Sequence, residues 1–232
     1  MAEFSNRTFI CSVLYLDIIE YTLRSSGEQI ALKERLNAAL TEAIEGVAAE
    51  DRIVLDTRDG AAVGFLGDPE DAMCAAVGVC SPFVQQKATA GIRAWIRAGI
   101  NLGLVGLVKD MNGKRIIVGD GIKMAQHITY FAAPGQILVS RSYRDVMVRL
   151  SGGYADLFHY EGAKTDKNVR EHWVYAVSEA ASSVFGKQRK KTDNASKSPS
   201  RERANATMPP TGRRSEPGWS AAVVAWMRNL LR

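Results

Sequence analysis

Apolar positions along the first hundred residues come in blocks whose spacing switches between strand and helix. Phe9 to Leu16 is apolar and rich in strand formers, and hydrophobicity stops at Asp17. That pattern predicts a core strand ending in a functional turn. From Ser26 to Ala49, the residues Ile30, Leu32, Leu36, Leu40, Ile44 and Val47 recur at helical spacing between good helix formers, which predicts a helix. Arg52 to Leu66 predicts two strands joined at Thr57 to Gly60, a hairpin with Asp59 at or beside its turn. Asp68 and Pro69 open a second helix, with acidic residues in the first turn where the helix dipole favours them and small apolar residues to about Val84.

Ala94 to Val108 alternates loosely as a long strand in which Gly99 and Gly103 mark close backbone approach or bulges. Asn112 and Gly113 make a hairpin turn into Arg115 to Val118. Gly119 to Phe131 predicts a loop and helix, Pro134 and Gly135 a turn, Gln136 to Ser140 a strand, and Arg141 to Leu150 a helix. A final strand pair ends at Trp173 to Val177. Hairpins mixed with crossovers in this order predict an α+β domain with a mostly antiparallel sheet and helices packed on it.

Beyond Ser178 the character changes, so the expected organisation is a domain over 1–178, a disordered basic linker over 179–217 and a short amphipathic helix over 218–232. In the last segment Trp219, Val223, Trp226 and Leu230 share one helical stripe. The net charge of +5 is a property of this tail: residues 181–232 hold 11 Lys and Arg against 3 Asp and Glu, while residues 1–180 hold 19 against 22. The mildly acidic domain gives no electrostatic reason to invoke nucleic acid. Three cysteines, Cys11, Cys74 and Cys80, fit neither a disulfide framework nor a zinc-ligand spacing and suit a reducing compartment. With no basic-then-apolar leader and no bilayer-length apolar run, the expectation is a cytoplasmic protein, its membrane contact limited to the periphery of the inner face.

Asp17 and Asp59 each stand where an apolar strand gives way to a turn. Two carboxylates so placed suit one hard cation, although a lone strand-end aspartate more often serves a turn or a helix cap. Further strings join them in order: LDIIEYT, RDGAAVGFLGDPEDAMCAA, IRAGINLGLV, GDGIKMAQHITYFAAPGQILVS and YEGAKTDKNVREHWVYAV. Together they resemble the class III adenylate and guanylate cyclase catalytic domain, bacterial type, over about Phe9 to Val177.

The resemblance implies a ferredoxin-like nucleotidyl cyclase fold that dimerises head to tail with active sites shared across the interface. The ribose 3′ oxygen attacks the α-phosphate there and pyrophosphate leaves. It implies that Asp17 and Asp59 ligate Mg2+ or Mn2+ with the carbonyl of Ile18. It also places Arg97 and Lys167 against the triphosphate of a nucleoside triphosphate. Several positions depart from the pattern. The purine-reading pair falls at Leu55 and Ile116, the ribose asparagine at Lys123 and the transition-state arginine at His127. Glycines are usual in the phosphate-cradling turn where Glu20 stands and just before the second aspartate where Arg58 stands. Glu20 and Arg58 are expected to pair across the site, the alternative being that both face solvent.

Two functional readings follow from the resemblance. In one the chain keeps a metal half-site and acts with a complementary cyclase-domain partner, or as a regulatory homodimer without turnover. In the other it is an active 3′,5′-cyclic nucleotide synthase of unusual base choice, with His127 or Lys123 as donor. The C-terminal helix is expected to dock on a membrane surface or a partner protein, or to fold back on the domain.

Overall fold

The computed structural model describes residues 8–85, 95–167 and 169–186. A second unit, Ser198–Arg232, which contains the expected C-terminal helix, lies outside the described residues. The described strands are β1 (Thr8–Ile18), β2 (Arg52–Thr57), β3 (Gly60–Phe65), β4 (Ile96–Lys109), β5 (Arg115–Val118), β6 (Ile137–Ser140), β7 (Phe158–Thr165) and β8 (Glu171–Val177). They form one sheet in the order β2-β3-β1-β4-β6-β8-β7, with β5 on the far half of β4. Every pairing is antiparallel except that of β4 with β6. The helices are α1 (Ser26–Ala43), α2 (Pro69–Gln85), α3 (Asp120–Phe131) and α4 (Arg141–Leu150), followed by a helical segment over 180–186, α5.

Side chains alternate across a strand, so an unbroken apolar strand needs cover on both faces. β1 has it. Leu14, Leu16 and Ile18 enter one core with Leu32, Leu36 and Leu40 of α1, Ala72, Ala76 and Val79 of α2, and Tyr143 and Met147 of α4. Cys11, Val13 and Tyr15 enter a second cluster with Val105, Leu107, Ile117 and Ala125 of α3. The small residues of α2 and β3 let backbones approach closely. A Cβ on Gly60 would fall on the Leu16 carbonyl oxygen, and one on Gly99 would stand 2.6 Å from the Ala125 carbonyl oxygen of α3. Glycine at these two positions is therefore what seats β3 on β1 and α3 on β4.

Helix ends follow from local chemistry. Ser25 caps α1 in a capping box, its hydroxyl accepting from the Glu28 N–H while the Glu28 carboxylate accepts from the Ser25 N–H at 3.0 Å. Asp68 accepts from the Glu70 N–H at 2.9 Å at the start of α2. The helix expected to reach Ala49 stops at Ala43, with Ile44 closing the last turn and Gly46 soon after, and Ile30 is left exposed. The folded core also runs past Ser178, because Ala181 and Phe185 of α5 are buried in the main cluster.

Candidate active site

Asp17 lies near the C-terminal end of β1, directly opposite Gly60 of β3 on one side and Arg97 of β4 on the other. Its residue is 4% exposed. The β2–β3 turn brings Asp59 to it, and the Ile18 N–H donates to the Asp59 carbonyl at 2.8 Å. Lys33, on α1, anchors this turn by donating to the carbonyls of Thr57 and Gly60 while pairing with Asp56. The β1 end and the hairpin are thus fixed from both sides before any ligand enters.

The charge at this end is unbalanced. Burial pushes the Asp17 carboxyl above its ordinary value despite the Arg97 guanidinium, and the charge of Asp59 adds to the push. Arg97 Nε donates to Asp17 Oδ2 at 2.7 Å, Nη1 donates to the Tyr130 carbonyl at 3.3 Å, and the guanidinium lies 5.2 Å from the Tyr130 ring centre. Arg97, expected on a triphosphate, is here the counter-ion of the first aspartate. Direct cross-strand placement makes this contact almost unavoidable.

The expected Glu20–Arg58 pair does not form. Glu20 is exposed and reaches Arg24 at 4.0 Å, and Arg58 is exposed with no ion pair among the described residues. The tight turn after β1 leaves the Glu20 carboxylate facing its own i+4 arginine, Arg24, and open to solvent. Glu20 nevertheless takes the left-handed backbone expected of a glycine, with φ 60° and ψ 21°. Arg58 lies outside that region.

Of the other expected residues, His127 lies in a second polar cluster. Lys123 is exposed in the first turns of α3, and Lys167 is exposed in the β7–β8 turn. His127 of α3 sits with its Nδ1 2.7 Å from Oδ2 of Asp166, which also lies 2.9 Å from Nε2 of His172 on β8. Asp166 and His172 carry no local signal in the sequence for the contact, because they stand on a turn and a strand 39 and 45 residues after His127. Leu55 and Ile116 are half-buried, and Leu55 packs against the second apolar cluster. Neither can read a base by hydrogen bonding.

The donor set at Asp17 and Asp59 suits a hard divalent cation: two carboxylates close enough for the charge of one to push up the other, which burial also raises. Asp17 Oδ2 is engaged by Arg97, so a cation there competes with a guanidinium.

No protein-family model and no curated protein matches the sequence. Solved structures do match in fold. The guanylate cyclase domain of RhGC from Catenaria anguillulae, in complex with GTP, aligns with TM-score 0.59 and 20% identity over 74% of this chain and 98% of that one. The adenylate/guanylate cyclase/hydrolase from Silicibacter pomeroyi gives 0.59 and 20% over 75% and 98%. A dimeric guanylyl cyclase domain of the RhoGC fusion protein from Blastocladiella emersonii gives 0.56 and 20% over 74% and 97%. The chain has the fold of adenylyl and guanylyl cyclase catalytic domains.

Proposed function

We propose that this cyclase-fold chain is a nucleotide-binding half-site that acts in cyclic-nucleotide signalling as one face of a dimer and turns over little or no substrate alone. The observation that carries this is the clamp on Asp17: the carboxylate that would hold a cation already has a cation, Arg97, at 2.7 Å. Asp17, Asp59 and the Ile18 carbonyl are the groups that would hold Mg2+ or Mn2+. A bound ion of this kind lowers the pKa of an attacking ribose hydroxyl and neutralises phosphate charge. Within the chain, Lys33 holds the hairpin so that Asp59 stays beside Asp17, and Arg97 offers a guanidinium at the same end. Lys167 is free of the core and offers an exposed ammonium to phosphate.

The opposite half of the chemistry is altered. A positioned arginine at developing phosphoryl charge contributes ~3–4 kcal/mol. Its place is taken by His127, whose Nδ1 faces the Asp166 carboxylate. Leu55 and Ile116 give apolar surface where a purine would be read. A head-to-tail partner with the missing groups would complete the site. One observation favours the alternative, an active cyclic nucleotide synthase: the His127 side chain keeps 19% exposure, so its imidazole is not closed off where a donor would stand.

The test is incubation of the purified chain with Mn2+ and each of the four ribonucleoside triphosphates, with 3′,5′-cyclic products followed by mass spectrometry. The half-site reading expects no robust product, together with Mn2+-dependent nucleotide binding that Asp17→Ala abolishes. Robust product from any triphosphate would establish the alternative.

A further inference from the structure

We propose that His127, Asp166 and His172 form a second metal centre, separate from Asp17 and Asp59 and suited to Zn2+ or a similar transition-metal ion. Three elements converge on it: α3 supplies one imidazole, the β7–β8 turn the carboxylate, and β8 the second imidazole. The three ligand atoms all lie within 4.8 Å of one another, with Oδ2 of Asp166 2.7 Å from Nδ1 of His127 and 2.9 Å from Nε2 of His172. Zn2+ bonds to such nitrogens and oxygens at ~2.0–2.2 Å, which puts neighbouring ligand atoms about 3–3.5 Å apart. The carboxylate must draw back from each ring nitrogen by roughly half an ångström and the two imidazoles turn toward a common centre to make a coordination sphere of the hydrogen-bonded cluster.

The surroundings support the assignment. The side chains of Asp166 and His172 are each 4% exposed, whereas that of His127 is 19% exposed, so the cluster is closed on one side and open at α3. Two imidazoles and a carboxylate are a three-ligand set, leaving a fourth position for water or an anion on the open side. Asp166 is held in place independently of its histidines. Its Oδ1 accepts from the Arg170 N–H at 3.0 Å, its own N–H donates to the Arg170 carbonyl and its carbonyl accepts from the Val169 N–H. The Phe131 ring, 6.0 Å from that of His172, supplies an apolar wall. Such supporting contacts orient ligands in metal sites. Imidazole donors prefer zinc-like ions and the all-oxygen pair at Asp17 and Asp59 prefers Mg2+ or Mn2+, so the two sites sort ions by chemistry.

Without a metal the same geometry is a carboxylate accepting an N–H from each ring, and loading an ion moves each of those N–H protons to the other nitrogen of its ring. The test uses the full chain, freed of metal with a chelator, in an Asp59→Asn background that removes the oxygen site. The expected result is one equivalent of Zn2+ by calorimetry and a tetrahedral ligand-field spectrum with Co2+. His127→Gln, at the partly exposed ligand, is expected to weaken Zn2+ binding by more than ~100-fold, beyond the 10–100-fold typical of a merely supporting partner. Circular dichroism of that variant establishes that it is folded, and Asp166→Asn provides a second loss. Absence of Zn2+ binding in the Asp59→Asn chain would overturn the proposal, as would a loss below about tenfold in folded His127→Gln.

Discussion

Removing the guanidinium at Arg97 isolates the balance struck at the two aspartates. Arg97→Met keeps the apolar stem of the side chain but deletes its charge and donors. The contact it breaks is a charge-assisted bond of 2.7 Å between side chains 23% and 5% exposed. Bonds of this kind contribute ~1.5–3 kcal/mol, and about 2 kcal/mol is the value to expect at this partial burial. That stability should be lost at neutral pH. The deficit should shrink in acid: without Arg97 the folded-state pKa of Asp17, already raised, rises further. Folding of the variant is then favoured below that pKa and disfavoured as pH climbs through it. The same ~2 kcal/mol is released to a competing cation, an increase of about thirtyfold in Mn2+ affinity. Urea unfolding at two pH values reads the first effect, and titration of free Mn2+ by electron paramagnetic resonance reads the second. Unchanged or weaker Mn2+ binding in Arg97→Met would refute the competition. No Mn2+ binding by either protein would refute the cation reading of Asp17 and Asp59 altogether.

Gly60→Ala should cost more than ~3 kcal/mol and abolish Mn2+-dependent nucleotide binding, since the new methyl lands on the β1 backbone at Leu16; an unfolding curve close to wild type would contradict the packing. Glu20→Gly should stabilise the chain by ~0.5–1 kcal/mol, because a left-handed glutamate costs ~1–2 kcal/mol and the extra freedom of glycine in the unfolded chain returns part of it. Thermal melting of the two proteins decides the sign. Asp71 is pushed up to about 6 by burial and by the charges of Asp68, Asp51 and Glu70. A folded pKa above the unfolded one means stability falls as pH rises from about 4 to about 6, by ~1–2 kcal/mol once solvent screening is allowed for. Asp71→Asn should flatten that slope in urea titrations at about pH 4.5 and about pH 7.

Much of this fold is written in local patterns. The apolar run ending at Asp17, the hairpin at Thr57–Gly60 and the helix Arg141–Leu150 each depend on residues within a few positions of one another, and spacing alone identifies them. What spacing does not carry is register. That Asp17 faces Arg97 follows from the pairing of β1 with β4 across 80 positions, and a one-residue slip would remove it. Lys33 was hidden for a similar reason: on a helix pattern it is one more solvated lysine, yet α1 packs so that its ammonium caps the hairpin. The His127–Asp166–His172 cluster joins three elements and is visible only once β7, β8 and α3 are assembled. Glu20 shows the reverse case, a left-handed turn position that glycine would fill most easily and that a glutamate holds instead.

The two-sided burial of β1 bears on how the chain must be made. Leaving the ribosome ahead of the other described strands, Thr8–Ile18 has no lasting partner until β3 is out and is not enclosed until β4, which ends at Lys109, has followed. During that interval one of the most apolar strands in the molecule is an open edge, ready to pair with any other strand nearby. Closing the sheet around it requires contacts between residues far apart in sequence, which slows folding. The stretch that carries Asp17 is therefore also the stretch most in need of protection by a chaperone during synthesis.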